Sequence, residues 1–390
     1  MRFIHTADWH LGRLFHGIHL TDDQRFALDR LVALAEEQRV DAVVVAGDVF
    51  DRAVPPTDAV DLLDRTLATL ALDVGVQVLV IAGNHDSPAR LEYMSEVARR
   101  SGVHVVGRVG PVPRSVAVQG GDGTVARFWP LAYTDPETAR YELQCGDIHS
   151  HEEVIKAHLE RLQIERQRVG EPAELNVLVG HAFVTGCRES ESERPLSVGG
   201  SGAVSADLFA DFDYVALGHL HQPQKAGSNR LRYAGSLLKY SFDEAEQRKS
   251  VSVVEVVPGA EPMVEELTLP ARRDVRRVEG TLSGLITEAR PEDVEAYLEV
   301  VLTDTEPLLN PVDRLRRVYP HLLSLRRKED MSGDLGPGPA GEALGARTTL
   351  ELFAEFFEDV KGSPLSEAQS EVVVEVLGEL ERAGQERGTR

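Results

Sequence analysis

Four runs of aliphatic and β-branched residues, DAVVVAG, VQVLVIAG, NVLVG and DYVALG, each end in a glycine followed at once by Asp, Asn or His. A fifth, RFIHTAD, ends directly in an aspartate. Runs of this length and composition read as buried strands. DDQRFALDRLVALAEEQ, between RFIHTAD and DAVVVAG, and TDAVDLLDRTLATLA, between DAVVVAG and VQVLVIAG, have apolar positions that recur at helical spacing. The pattern commits the chain to an α/β fold that delivers polar side chains just past the carboxyl ends of its strands. Ligand sites assemble there in open α/β sheets, because the strand fixes the residue and the loop exposes it. Glycine, with no Cβ, lets the backbone turn sharply and brings the next side chain close to a shared centre.

At 390 residues the chain is too long for one ordinary core, so two or three domains are expected. The opening MRFIHTADWHLG lacks a basic segment followed by an apolar one, and so reads as no secretory signal. No apolar run reaches the length that spans a bilayer. Cys145 and Cys187 are too few for a disulfide framework and sit in no thiolate metal motif, which fits a reducing cytoplasm. A net charge of −22 argues against the whole surface binding nucleic acid and leaves that role to local patches.

Further along, 112–133 reads as short β segments around Gly120-Gly121, and 151–169 as a strong helix. RLRYAGS and KSVSVVEV read as further strands. This first region is expected to span 1–270. From 271 to 330 two basic stretches, ARRDVRRVEG and DRLRRVYPHLLSLRRK, flank the strand-like LEVVLTD, which reads as a small α+β domain. Residues 331–347 hold five Gly and two Pro and read as a flexible linker. Within 348–385, Thr348 and Glu351 have capping-box spacing. They open a helix that puts Leu350, Phe353, Phe356, Phe357 and Val360 on one face. Ser366 and Gln369 repeat the spacing ahead of VVVEVLGEL.

The strand-end residues form one chemical set. Asp8-Trp9-His10, Gly47-Asp48, Gly83-Asn84-His85-Asp86, Gly180-His181 and Gly218-His219-Leu220-His221 offer carboxylate, amide and imidazole, with no thiolate. Such donors suit one or two divalent ions, Mn, Fe, Mg or catalytic Zn. Taken singly, an Asp after a strand is as readily a turn residue, and a lone His a satisfied core group. Five such motifs in one chain favour metal binding. A pair of ions needs a carboxylate to bridge them, and Asp48 is the natural one; ions so bridged can clamp an in-line phosphoryl displacement.

In order, these motifs resemble those of the calcineurin-like metallophosphoesterases. HTADWHLG, AGDVFDR, IAGNHDS, YVALGHLHQPQ and YAGSLLKYSFDE are similar to those of the bacterial SbcD nucleases, relatives of the double-strand-break repair nuclease of archaea and eukaryotes. The resemblance implies a four-layer β-sandwich flanked by helices, followed by a small α+β capping domain and C-terminal helices. It places a first metal ion on Asp8, His10, Asp48 and His221, and a second on Asp48, Asn84, His181 and His219. His85 falls at the non-ligand catalytic histidine. Two divalent ions per chain follow, manganese with magnesium as the alternative. Where archaeal relatives carry a second active-site histidine this chain has Asp51-Arg52, so that role does not transfer. The implied partners are DNA (duplex ends, single strands, hairpins), an SbcC-type ATPase bound by Leu350, Phe353, Phe356 and Phe357, and a second copy of the chain, with no membrane. The implied activity is ATP-dependent 3′-to-5′ exonuclease and single-strand endonuclease action in DNA repair, recombination and replication, in the cytoplasm at the nucleoid.

Arg52 and the pairs Arg272, Arg273, Arg276, Arg277 and Arg314, Arg316, Arg317, with Arg326, Arg327 and Lys328, are candidate DNA contacts. Against that stands the plainer reading of solvated faces paired with nearby Asp and Glu. Two other functions fit the same metals: hydrolysis of small phosphoesters, and a non-catalytic DNA-end-binding subunit. The first leaves the basic pairs, linker and aromatic helix without a purpose. The second leaves the two intact ligand sets and His85 without one.

Overall fold

The computed structural model describes residues 1–169, 175–194, 196 and 202–328, with isolated positions 357, 369, 370, 372 and 373 beyond. The expected linker 331–347, and Leu350, Phe353 and Phe356 of the aromatic helix, lie outside the described residues. Phe357 is helical and half-buried.

Two six-stranded sheets face each other. In the first, Arg2–Thr6, Ala42–Ala46, Gln77–Ile81 and Val103–Val106 run parallel in that order, and Ser250–Glu255 and Met263–Thr268 extend the sheet antiparallel beyond Arg2–Thr6. In the second, Leu175–His181 and Tyr214–Gly218 lie parallel at the centre. Val125–Leu131 and Leu231–Tyr233 flank them, also parallel, and Val116–Gln119 and Gln224–Lys225 form the antiparallel edges.

The central strands lack alternating polarity because both of their faces are covered. Along the second sheet Val177, Val179, Tyr214 and Ala216 enter the core between the sheets. Their neighbours Leu178, Val215 and Leu217 enter a second core shared with Val154, Ile155 and Leu162 of the helix His151–Val169. Phe3 ties the sheets together, edge-on to Phe128 at 5.3 Å and to Tyr214 at 5.6 Å. Helices Thr21–Glu37 and Thr57–Ala68 supply Leu28, Leu31 and Leu62 to the same core. The layers are therefore helix, sheet, sheet and helices, the sandwich expected.

The second helix is shorter than its periodicity suggests. It ends at Ala68 and widens into a π-helical turn, Thr69–Val74. Gly75 closes the turn at φ 82°, its N–H reaching back five residues to Leu70 O at 3.0 Å.

Residues 275–327 build a third sheet of three parallel strands, Val275–Gly280, Tyr297–Leu302 and Leu322–Arg327. Its core is its own: Leu282, Leu298, Val300, Leu302, Leu315, Tyr319 and Leu322. Among the described residues no helix is long and apolar enough to cross a membrane.

Candidate metal centre

The parallel strands of both sheets end at one place. Asp8 and His10 follow Arg2–Thr6, Asp48 follows Ala42–Ala46, and Asn84 and His85 follow Gln77–Ile81. From the facing sheet His181 is the last residue of its strand, and His219 and His221 lie just past Tyr214–Gly218. Of the seven candidate ligands, all but half-buried Asn84 are buried.

The close approach explains the glycines. A Cβ on Gly218 would lie 1.9 Å from Ala46 O, and one on Gly83 would lie 2.2 Å from Asp48 Oδ1. The candidate ligands themselves are strained. Asp8, His10 and Asp48 have φ of 52°, 44° and 48°, and His219 has 105°. Each such residue costs about 1–3 kcal/mol and persists only where its surroundings over-determine it. Here they do. Asp8 N–H and His10 N–H donate to Gly47 O and Asp48 O at 3.0 and 2.9 Å. The buried Asp86 carboxylate ties down the loops by accepting from Val49, Phe50 and Gly83 N–H at 2.9–3.1 Å.

Asp48 lies at the centre. Its Oδ2 is 3.6 Å from His181 Nε2, 3.7 Å from His10 Nε2 and 3.9 Å from His85 Nε2, and its Oδ1 accepts from His85 N–H at 2.9 Å. On one side of it His10 and His221 face each other, Nε2 to Nε2, at 3.0 Å. On the other side His181 Nε2 meets Asn84 Oδ1 at 2.9 Å. Asp8 accepts from His219 N–H at 2.9 Å. One ligand atom from each of Asp8, His10 and His221 fits within 4.8 Å of the others, and the same holds for Asp8, Asp48 and His181.

Electrostatics agree with the geometry. Burial pulls His10 down to about 3 and holds His181, His219 and His221 below their ordinary value, so these rings are neutral, the form that offers lone pairs to a metal. Burial opposes charge on Asp48, but the groups packed around it, among them the His85 N–H that donates to Oδ1, hold its carboxyl below the usual range. Burial and then Asp48 itself push the Asp8 carboxyl up, a like-charge conflict that a cation would relieve. Neutral imidazoles and crowded carboxylates fit divalent ions, and the donor set is that of catalytic rather than structural sites.

His85 shares a possible metal-holding group with His10 and Asp51 but is held differently from the candidate ligands. Its Nδ1 lies 2.8 Å from the Asp51 carbonyl, which leaves Nε2 facing the Asp48 carboxylate. His16 lies on the exposed hairpin Leu14–Phe15/Ile18–His19, beside Phe15 and Phe242.

Sequence reasoning missed the groups behind the ligands. Glu244, fully buried, reaches His221 Nδ1 at 3.4 Å and also bonds Ser192, whose Oγ is 2.5 Å from the same nitrogen. Lys249 pairs with Glu244 at 2.6 Å, and Glu193 accepts from His221 N–H at 2.6 Å. Asp51 Oδ1 lies 3.6 Å from His10 Nδ1 and bonds Arg13 at 2.9 Å.

The candidate DNA contacts divide into two groups. Arg276 pairs with Asp293 at 2.6 Å, and Arg277 and Arg326 both pair with buried Glu299. Lys328 pairs with Glu279, Arg272 lies 3.7 Å from Asp22, and Arg273 bonds His321. Arg314 and Arg316, on the helix Pro311–Arg316, and Arg317 after it are exposed and form no ion pair among the described residues; the same is true of Arg52.

Residues 1–223 match the family model described as calcineurin-like phosphoesterase, more than half of the chain. The chain belongs to the calcineurin-like phosphoesterases. Residues 271–361 match the SbcD C-terminal model, described as the type 5 capsule protein repressor C-terminal domain. Over 98% of its length the chain is 30% identical to the whole of the D subunit of the SbcCD nuclease of Staphylococcus saprophyticus, and within its class it is a member of that protein's family. Two solved structures resemble it more loosely. One is a Thermus thermophilus protein (14% identity, 69% of this chain, 99% of that one, TM-score 0.41). The other is a dimetal phosphatase from Danio rerio (13% identity, 70% and 99%, TM-score 0.41).

Proposed function

We propose that the chain is the metal-dependent nuclease subunit of an SbcCD-type complex and hydrolyses DNA phosphodiesters at the joined strand ends of the two sheets. The observation that carries this is the convergence of Asp8, His10, Asp48, Asn84, His181, His219 and His221 around one another, with His85 beside them. The full-length relative named as part of a nuclease supports it. Asp8, His10, Asp48 and His221 would hold one divalent ion and Asp48, Asn84, His181 and His219 the other, with manganese the expected metal. Two such ions, when bound, lower the pKa of water and polarise phosphoryl oxygens.

The rest is done by the chain. Asp48 sets the spacing of the centre, because one carboxylate serves both sides of it. The strained loops fix donor directions in advance, so little reorganisation remains when the phosphate arrives. The Asp51 carbonyl orients His85 so that Nε2 faces the scissile phosphate. Because Nδ1–H is committed to that carbonyl, His85 acts as the imidazolium with a second proton on Nε2, which it gives to the departing 3′ oxygen, ending neutral, or keeps to stabilise the charge there.

Arg314, Arg316 and Arg317 suit the DNA backbone best, since their guanidinium groups are exposed and uncommitted. A complex with an SbcC-type ATPase follows from the relative's name, and the segment 348–385 with Leu350, Phe353, Phe356 and Phe357 is the docking helix we assign to it. ATP-dependent 3′-to-5′ degradation, hairpin opening, pairing with a second copy and action at the nucleoid belong to the same reading.

The test is cleavage of a duplex end by the purified chain with manganese, run beside a phosphomonoester and a cyclic nucleotide, with Asp48→Asn as control. Preferential DNA cleavage lost in Asp48→Asn is the expected result. Turnover of only the small esters, or equal DNA cleavage by the variant, would overturn the assignment.

A further inference from the structure

The two halves of the metal centre are backed by different chemistry. On one half both imidazoles that face each other have a carboxylate at their far nitrogen. Glu244 stands behind His221 Nδ1 at 3.4 Å, with the Ser192 hydroxyl between them; Asp51 lies 3.6 Å from His10 Nδ1, close enough for charge attraction but beyond hydrogen-bond reach. Each carboxylate is anchored in turn by a cation, Glu244 by Lys249 at 2.6 Å and Asp51 by Arg13 at 2.9 Å. On the other half the partner of His181 Nδ1 among the described residues is the Ala46 carbonyl, at 2.9 Å, and its neighbour Asn84 is a neutral amide. A carboxylate behind a histidine fixes ring and tautomer and strengthens the facing lone pair; a carbonyl does so less.

We propose that Glu244, acting with Ser192, and Asp51 are positioning residues that make the two ion sites unequal. The site built on His10 and His221 takes its ion more tightly than the one built on Asn84, His181 and His219. The proposal rests on the two-ion reading above and adds an order of filling to it. At limiting metal the first site is full and the second empty, so the second ion sets the metal concentration at which the enzyme switches on. Lys249 has a definite part in this. It is buried, spans Glu244 Oε2 and His221 O (2.8 Å), and so holds the carboxylate and the backbone of the ligand it supports in one register.

Manganese titration of the full chain decides it, read as free ion by electron paramagnetic resonance and as heat by calorimetry. The wild-type chain should bind two ions in separate steps, and His181→Ala should remove the weaker one. Glu244→Gln should weaken the tighter step about 10–100-fold and leave the weaker unmoved. Asp51→Asn should move the same step in the same direction.

Equal affinities in the wild-type chain would overturn the proposal. So would a Glu244→Gln variant that changes neither step or shifts both alike. If circular dichroism shows that Glu244→Gln does not fold, Ser192→Ala serves instead: it removes the bridging hydroxyl and leaves the buried ion pair intact. It should weaken the tighter step by a smaller factor, and no change would overturn the proposal. A wild-type chain that binds no manganese would instead refute the two-ion centre itself, an outcome distinct from the others.

Discussion

The joined strand ends and the small third sheet both hold many polar side chains, but they treat them in opposite ways. At the strand ends, carboxylates and neutral imidazoles are buried against one another on strained backbone, with like charges unrelieved. In the third sheet each buried acid has its base: Asp293 has Arg276, and Glu299 has Arg277 and Arg326. A fold of marginal stability tolerates the first arrangement only where something outside the chain completes it. The second arrangement is complete within the chain, so the charge run at 272–277 that suggests nucleic acid in the sequence is largely internal structure. In the same region, Arg314, Arg316 and Arg317 form no ion pair among the described residues and are left for a partner.

The sharpest way to break this contrast is to remove the residue on which the centre turns. Asp48→Ala should abolish both manganese steps in a titration and bring DNA cleavage to background, a larger loss than any other single change. Retention of one ion with measurable cleavage would mean that the halves do not share a carboxylate. His85→Ala comes next. Loss of a general acid costs about 10²–10⁴-fold, and because His85 stands outside the ligand set both ions should still bind. Unchanged single-turnover rates in that variant would remove His85 from the reaction.

A smaller effect separates the two basic groups. Replacing Arg314, Arg316 and Arg317 by Ala should weaken duplex binding and flatten the plot of log affinity against log salt by about 0.9 for each phosphate no longer neutralised. Replacing Arg276 and Arg277 should leave that slope alone. It should instead lower stability by about 1–3 kcal/mol, because each guanidinium is about a third exposed, at 35% and 36%, but the acid it leaves behind is buried. A salt slope that fell in the second variant and not the first would reverse the assignment.

Much of this cluster was legible in the sequence because each candidate ligand ends a strand or follows one within a few residues. A buried apolar run, a glycine that permits close approach and a donor make a local pattern. The helix–sheet–sheet–helix sandwich was legible for a related reason: strands covered on both faces lose alternation and read as continuous apolar runs. What stayed hidden depends on distance along the chain. Glu244 meets His221 from 23 residues away and Ser192 from 52, and Lys249 looks in the sequence like any surface lysine. Ion pairs such as Arg277 with Glu299 need the parallel register of two strands before they can be seen. The π-helical end of Thr57–Ala68 was missed because one extra residue in a turn barely disturbs helical periodicity.

The last prediction asks whether a buried, unsatisfied polar group marks function wherever it occurs. His158, in the helix His151–Val169, is 2% exposed, and neither ring nitrogen has a hydrogen-bond partner among the described residues. Nothing else metal-binding gathers around it among those residues. It should be a cost without a purpose, and that cost should depend on pH. Burial pulls its pKa down from 6.5 to about 4, so between those values the unfolded chain takes up a proton that the folded chain refuses. Stability from this group is therefore present above pH 6.5 and lost as pH falls toward 4. Between about pH 7.5 and 5.5 the loss amounts to about 1 kcal/mol. His158→Leu, close in size and apolar, should match or exceed the wild-type melting temperature at neutral pH and fall less steeply on acidification, with manganese binding and cleavage unchanged. If instead the variant lost metal or activity, burial without a partner would signal function even far from the strand ends, and the contrast between the two regions would have to be redrawn.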